Sequence, residues 1–342
     1  MNKLTKLGVS ALCGTLAAVS SASAGEMTVT GGATATYASH DYGNTGNPLG
    51  MNTGLTFTGS GELDNGGTFT LSIGQTDQIG YDASSISYVS PSMGTFTYDE
   101  GAGTGLDRID DMIPTAWEET NGTSVGTGMT TVAGAGGSTD IEWTAPSSML
   151  ADGMSLYFAY SPLPDGTKNI DKATGGDQGS SVTGSGWDLV VTHSGMMDGL
   201  NVFAGISEID QKQATGSKSG NRHQMAYGLT YALGNVTAGY EYSKDDLNNQ
   251  GAASTVSYYE NQMYGISFAV NDDLSISYGI AKSEQHNSST VKTELDASSL
   301  QIAYSMGGAS IKLANTSVDH GNYDSSSATD RSGTTLAVSL AF

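Results

Sequence analysis

Charged side chains are the first candidates for chemistry in this chain. Carboxylates stand at alternate positions of short apolar segments, as Glu62, Asp140, Glu142, Asp188 and Glu241. A second group crowds into one polar stretch, with Asp107, Arg108, Asp110, Asp111, Glu118 and Glu119. Carboxylates in such numbers can trade protons, hold a hard cation or enrich cations in water. The polar stretch offers calcium the right ligand type, although its spacing matches no EF-hand or glycine-rich repeat. His40, His193, His223, His286 and His320 have no paired metal spacing, so no metal site is assigned to them. Gly184-Ser185-Gly186 does not complete a nucleophile elbow, and Gly101, Gly103 and Gly105 are followed by no strand-to-helix pattern. No enzyme signature is present, and the chain is not expected to be an enzyme.

The elements that carry these charges are strands. Leu156, Phe158 and Tyr160 alternate with Ser155, Tyr157 and Ala159. Met225, Tyr227, Leu229 and Tyr231 alternate with smaller residues, as do Leu274, Ile276, Tyr278 and Ile280. The period is two and the segments run about ten residues, the length a tilted strand needs to cross a bilayer. Glu62, Asp140, Glu142, Asp188, Glu241 and Lys312 share parity with the small polar set. Glu208, Lys244 and Lys282 break that parity next to loops, where a charge on the lipid side costs little.

Composition sets the context. Among 342 residues, Lys and Arg number 13 against 35 Asp and Glu, a net charge of −22 that phosphate backbones repel, so no nucleic-acid partner is expected. No apolar run of 18 residues lies beyond the first two dozen positions, which excludes a helical membrane protein. Lys3 and Lys6 precede an apolar stretch from Leu7 to Val19 and the cleavage pattern Ala22-Ser23-Ala24. Residues 1–24 are therefore read as an export signal and 25–342 as one mature domain. That domain has no cysteine, because Cys13 leaves with the signal.

Two kinds of connection take turns along the chain. Tight turns fall at Asp64-Asn65-Gly66, Pro91-Ser92, Asp152-Gly153, Met197-Asp198-Gly199, Gly234-Asn235, Asn271-Asp272-Asp273 and Gly307-Gly308. Longer polar stretches occupy about 40–50, 76–82, 99–138, 162–183, 210–221, 245–255, 284–295 and 319–332. Seven turns and eight loops join sixteen strands. An even number of strands with short and long connections on opposite sides describes an all-β, sixteen-stranded antiparallel transmembrane barrel enclosing water. Tyr37, Tyr98, Tyr160 and Tyr242 then mark one rim, and Tyr88, Tyr231, Tyr304 and Phe342 the other. A secreted acidic β-solenoid or surface-layer protein shares the composition but should show a fixed repeat, and none appears.

This sequence resembles the sixteen-stranded general diffusion porins of Gram-negative outer membranes, particularly the alphaproteobacterial type, over the whole mature chain. Leu336, Val338, Leu340 and the terminal Phe342 resemble the signal read by the barrel-assembly machinery. The resemblance implies a homotrimer in outer-membrane lipid that passes small hydrophilic solutes and cations with no required cofactor. It also implies that the third loop, about 99–138, folds inward so that Asp107 to Glu119 form the constriction. The family's usual basic wall cluster is missing here, since no Lys or Arg lies between Gly25 and Asp107. Any transverse field must come from Arg108, Arg222 or Lys312. The sum of Glu62, Asp140, Glu142, Asp188 and Glu241 is expected to form a negative lumen wall and a cation-preferring pore. On the lipid side, Gly31, Ala33, Ala35, Gly59 and Gly61 are small enough for close protein approach and are expected to form the trimer interface.

Overall fold

In the computed structural model, residues 27–41, 46–77, 80–100, 103–122, 125–164, 183–211, 220–249, 255–288 and 292–341 are described. The signal segment and Phe342 therefore lie outside the described residues. Sixteen antiparallel strands close into one barrel, each paired to its neighbours in sequence and the last to the first. Closure is made by β1 (Met27–His40) on β16 (Arg331–Ala341), with Ala33 opposite Leu340 and Tyr37 opposite Leu336. A closed ring leaves no unpaired edge for a membrane to penalise, and it rules out the solenoid alternative.

Alternation decides which face meets lipid. Phe57, Leu71, Ile86, Tyr98, Ile206, Leu229, Ile266, Tyr278, Leu300 and Leu313 all point outward and are exposed. Leu336, Val338 and Leu340 of the closing strand share that face. The tyrosines reinforce the outer surface in cross-strand pairs, Tyr227 with Tyr242 at 5.2 Å and Tyr240 with Tyr264 at 5.1 Å between ring centroids.

Six of the seven expected short connections are tight reversals of five residues or fewer where turn residues place them. The third, residues 145–153, is nine residues long and carries the 3-10 turn Ser147–Met149 ahead of Asp152-Gly153. Gly66, Gly153, Gly199, Gly234 and Gly307 take the positive φ that reversals require. Two of the expected long loops are short. The second spans only 77–79 and the seventh 288–291. Glu284, His286, Lys292 and Glu294 are paired strand residues, polar because they stand in water at the rim.

The strands flanking the third loop are the shortest. β5 (Gly94–Asp99) has six residues and β6 (Asp140–Thr144) five, against fourteen in β12 (Val256–Ala269). At about 3.4 Å per residue, six residues reach about 20 Å and fourteen about 48 Å. The third loop therefore leaves the sheet partway up the wall and starts inside the bore.

Candidate channel and its constriction

Once inside, the loop is held on one side of the barrel by wall residues that face inward. Its first limb donates backbone N–H groups from Gly105 to Glu142 Oε2 (2.8 Å), from Leu106 to Asp188 Oδ2 (2.9 Å) and from Met112 to Glu241 Oε2 (3.2 Å). Further on, Ala116 donates to Ser277 Oγ at 2.8 Å, and Trp117 and Glu118 both donate to Gln301 Oε1 at 2.9 and 3.1 Å. The returning limb donates from Gly134 to Gln224 Oε1 (2.6 Å), from Ala135 to Asp188 Oδ1 (2.8 Å) and from Gly136 to Asp188 Oδ2 (2.9 Å). Thr104 Oγ1 adds a bond to Asp140 Oδ2 at 2.8 Å.

Apolar packing follows the same path. Leu106, Ile109 and Val132 of the loop bury against Val190, Phe203 and Ala226 of the wall. Ile113 and Val125 bury against Met263, Ala281, Leu295 and Val318. Fully burying each such side chain is worth roughly 1.5–3 kcal/mol, so the loop is a docked element of the fold. Glycines on the inner wall seat it. A Cβ at Gly205 would meet Leu106 Cδ1 at 2.7 Å, and Cβ atoms at Gly239 and Gly265 would run into Pro114 and Ile113. The eighth loop closes over the top, where Tyr323 OH accepts from Thr130 N at 2.9 Å and hydrogen-bonds Ser283 Oγ at 2.7 Å.

This arrangement corrects the expected negative wall. Asp140, Glu142, Asp188 and Glu241 do face inward, but each is at most 2% exposed beneath the loop. Loop donors reach each of them, the Thr104 hydroxyl at Asp140 and backbone N–H groups at Glu142, Asp188 and Glu241. A docked loop with little secondary structure presents orphan N–H groups that need acceptors. Asp140 Oδ1 and Glu241 Oε1 have no hydrogen-bond partner among the described residues. Glu62 alone of the five is exposed, at the turn end of β2 (Leu49–Glu62). Gln224, Ser277, Gln301 and Tyr323 serve the same anchoring purpose as the carboxylates. For the three strand residues the sequence signal was weak, a polar group at inward parity among many others, and Tyr323, in the 3-10 turn Gly321–Tyr323 of the eighth loop, carried none.

The three basic candidates separate sharply. Arg108 pairs with Glu142 at 2.5 Å and lies over the Tyr157 ring at 4.2 Å. Arg222 forks onto Asp245, with bonds of 2.7 and 2.6 Å. Lys312 on β15 (Ala309–Asp319) makes no salt bridge among the described residues and lies 5.9 Å from the Trp117 ring centroid. It borders a recess lined by Thr30, Thr34, Asn52, Thr56 and Ser339, on the hydroxyl-rich wall that the loop leaves open.

The loop itself carries Asp107, Asp110, Asp111, Glu118 and Glu119. Asp107 accepts from Gly103 N at 2.7 Å. Burial pushes Asp110 up to about 8, helped by the negative charges of Asp107, Asp111 and Glu241. Asp107, Asp111 and Glu118 are also raised, each mainly by burial, and Lys312 opposes the rise at Glu118. Among the described residues, no three loop carboxylates come within ligand distance of one another. Of the parity-breaking charges, Lys244 pairs with Glu260 at 3.3 Å and Lys282 with Asp296 at 3.7 Å on the outer face of the rim.

A closed antiparallel ring with an apolar outer band and a loop docked across its bore defines an outer-membrane barrel channel. The chain belongs to the Gram-negative porin family, whose model matches residues 8–305. No curated protein sequence matches it. Among solved structures it is similar to OmpF of Salmonella typhi in complex with daunomycin, at 15% identity and a TM-score of 0.67 over 93% of this chain and 98% of that one. It is similar to the trimer form of OmpT from Vibrio cholerae, at 10% identity and a TM-score of 0.66 over 93% and 100% of the two chains. The anion-selective porin from Comamonas acidovorans gives 14% identity and a TM-score of 0.65 over 92% and 99%. At such identities the likeness is one of fold.

Proposed function

We propose that this porin forms a water-filled channel for passive diffusion of small hydrophilic solutes and ions, with a preference for cations. The observation that carries the reading is the balance of charge around the opening. Third-loop donors occupy Asp140, Glu142, Asp188 and Glu241, Arg108 and Arg222 are paired, and Lys312, with no salt bridge among the described residues, acts on the nearby Glu118 of the third loop. Low-dielectric walls focus a field of that sign, so cations are enriched near the narrowing. Fold does not decide the matter, since a structural neighbour described as anion-selective has the same architecture.

The working form of the protein in this reading is a homotrimer, as in the trimer form of its Vibrio cholerae neighbour. The small outward residues Gly31, Ala33, Ala35, Gly59 and Gly61 of β1 and β2 are its contact surface. Export is followed by cleavage near Ala24, and the barrel-assembly machinery reads Leu336, Val338, Leu340 and Phe342. A planar-bilayer reversal potential in a KCl gradient tests the preference. A cation-selective potential that weakens as salt rises is expected, and an anion-selective one in dilute KCl would overturn it.

A further inference from the structure

On the outer face of the extracellular rim, away from the pore, β12 and β13 (Leu274–Asn287) bring together a group the channel does not use. Glu260 and Glu284 are directly opposite in the register, and His286 follows two residues on, on the same face. One ligand atom from each of the three lies within 4.8 Å of the others. His286 Nε2 stands 3.1 Å from Glu284 Oε2 and 3.8 Å from Glu260 Oε2. Four-coordinate zinc, with bonds of about 2.0–2.2 Å, spaces its ligands about 3.4 Å apart.

We propose that Glu260, Glu284 and His286 form a divalent-metal site, one imidazole and two carboxylates, suited to Zn2+ above Ca2+ or Mg2+. The imidazole sets that order, because nitrogen donors suit zinc and the hard cations take oxygen. Preorganisation is the second argument. The His286 ring is stacked on Tyr258, centroids 4.2 Å apart and planes 12° from parallel, which fixes the direction of Nε2. Each carboxylate is also split between two duties. Glu284 gives Oε1 to Lys292 at 2.8 Å, and Glu260 gives Oε1 to Lys244 at 3.3 Å and to Tyr242 OH at 3.1 Å. The Oε2 atoms are the ones turned to His286, so the lysines and the tyrosine orient the ligands from outside, as partners of metal ligands do. Both lysines have another partner when a cation enters. Lys292 also pairs with Glu294 at 2.8 Å, and Lys244 lies 4.1 Å over the Tyr258 ring.

The test is calorimetric titration of ZnCl2 into untagged, detergent-extracted protein stripped with chelator, with CoCl2 absorption as a second readout. One saturable Zn2+ site per chain is expected in the wild type. H286A and E284Q should each weaken it at least tenfold and abolish the ligand-field bands of bound Co2+. E260Q keeps the question open to test should either variant fail to give a heat-modifiable barrel, and it is expected to weaken binding by a similar factor. No saturable uptake by the wild type, or uptake by the folded variants equal to wild type, would overturn the site, the latter by assigning the ion to other side chains.

Discussion

Leu106 donates its backbone N–H to Asp188 Oδ2 at 2.9 Å, across 82 residues of sequence. The same carboxylate takes the amides of Ala135 and Gly136 from the returning limb, so one side chain ties both limbs of the third loop to the wall. Bonds of this kind to a charged acceptor contribute about 1.5–3 kcal/mol each. Asp188→Ala is expected to free the loop without opening the barrel. Single-channel recordings should show a larger and noisier conductance, and protease should cut within 104–136. Conductance and proteolysis unchanged from wild type would contradict the anchoring role. Deleting Thr104 to Gly136 should raise conductance further in a barrel that still migrates as a folded band.

The wall glycines predict the opposite sign. A Cβ at Gly239 or Gly265 would enter the space of Pro114 and Ile113. Gly239→Val or Gly265→Val should push the loop toward the open wall and lower the single-channel conductance. An increase would mean that the loop leaves the bore instead.

Lys312 is the lumenal cation without a carboxylate partner among the described residues, so its removal acts on the pore field with little structural cost. Lys312→Gln should raise the cation preference measured by reversal potential. Changing Asp107, Asp110 and Asp111 together to Asn should lower it. Equal potentials for all three proteins would remove these residues from the selectivity mechanism.

Proton uptake by the third loop sets a pH dependence. Asp110 is raised to about 8 from the usual carboxylate range, chiefly by burial. The folded protein therefore holds a proton there that the unfolded chain gives up near pH 4. Its contribution to loop docking is complete below that value and is lost as pH rises through about 8. Loop charge grows over the same interval, so cation preference should strengthen between about pH 6 and 9, and Asp110→Asn should flatten the profile. A wild-type reversal potential constant across that range would refute the assignment.

Assembly is tested at Ala33, which faces outward on β1 opposite Leu340 of the closing strand. Ala33→Trp should convert a detergent-stable trimer to folded monomers in a cross-linking assay. A trimer that survives the substitution places the interface elsewhere.

The sequence by itself determined the barrel, because period-two alternation and turn chemistry are local properties. Leu156, Phe158 and Tyr160 need only a lipid face, and Gly199 or Gly307 only a reversal, so strand number, order and closure followed. It also located the third loop by length alone. What the tertiary structure decided was the use of the inward charges. Parity states that Asp188, Glu142 and Glu241 face inward, yet it cannot distinguish water from a docked loop on that side. The distinction arises from contacts such as Leu106 with Asp188 and Ile113 with Gly265, which join distant segments and have no local signature. The same holds for Arg108, Arg222 and Lys312, equal as isolated cations. Two are neutralised by Glu142 and Asp245, and one is left to the pore, because the fold supplies a carboxylate beside the first two and an indole beside the third.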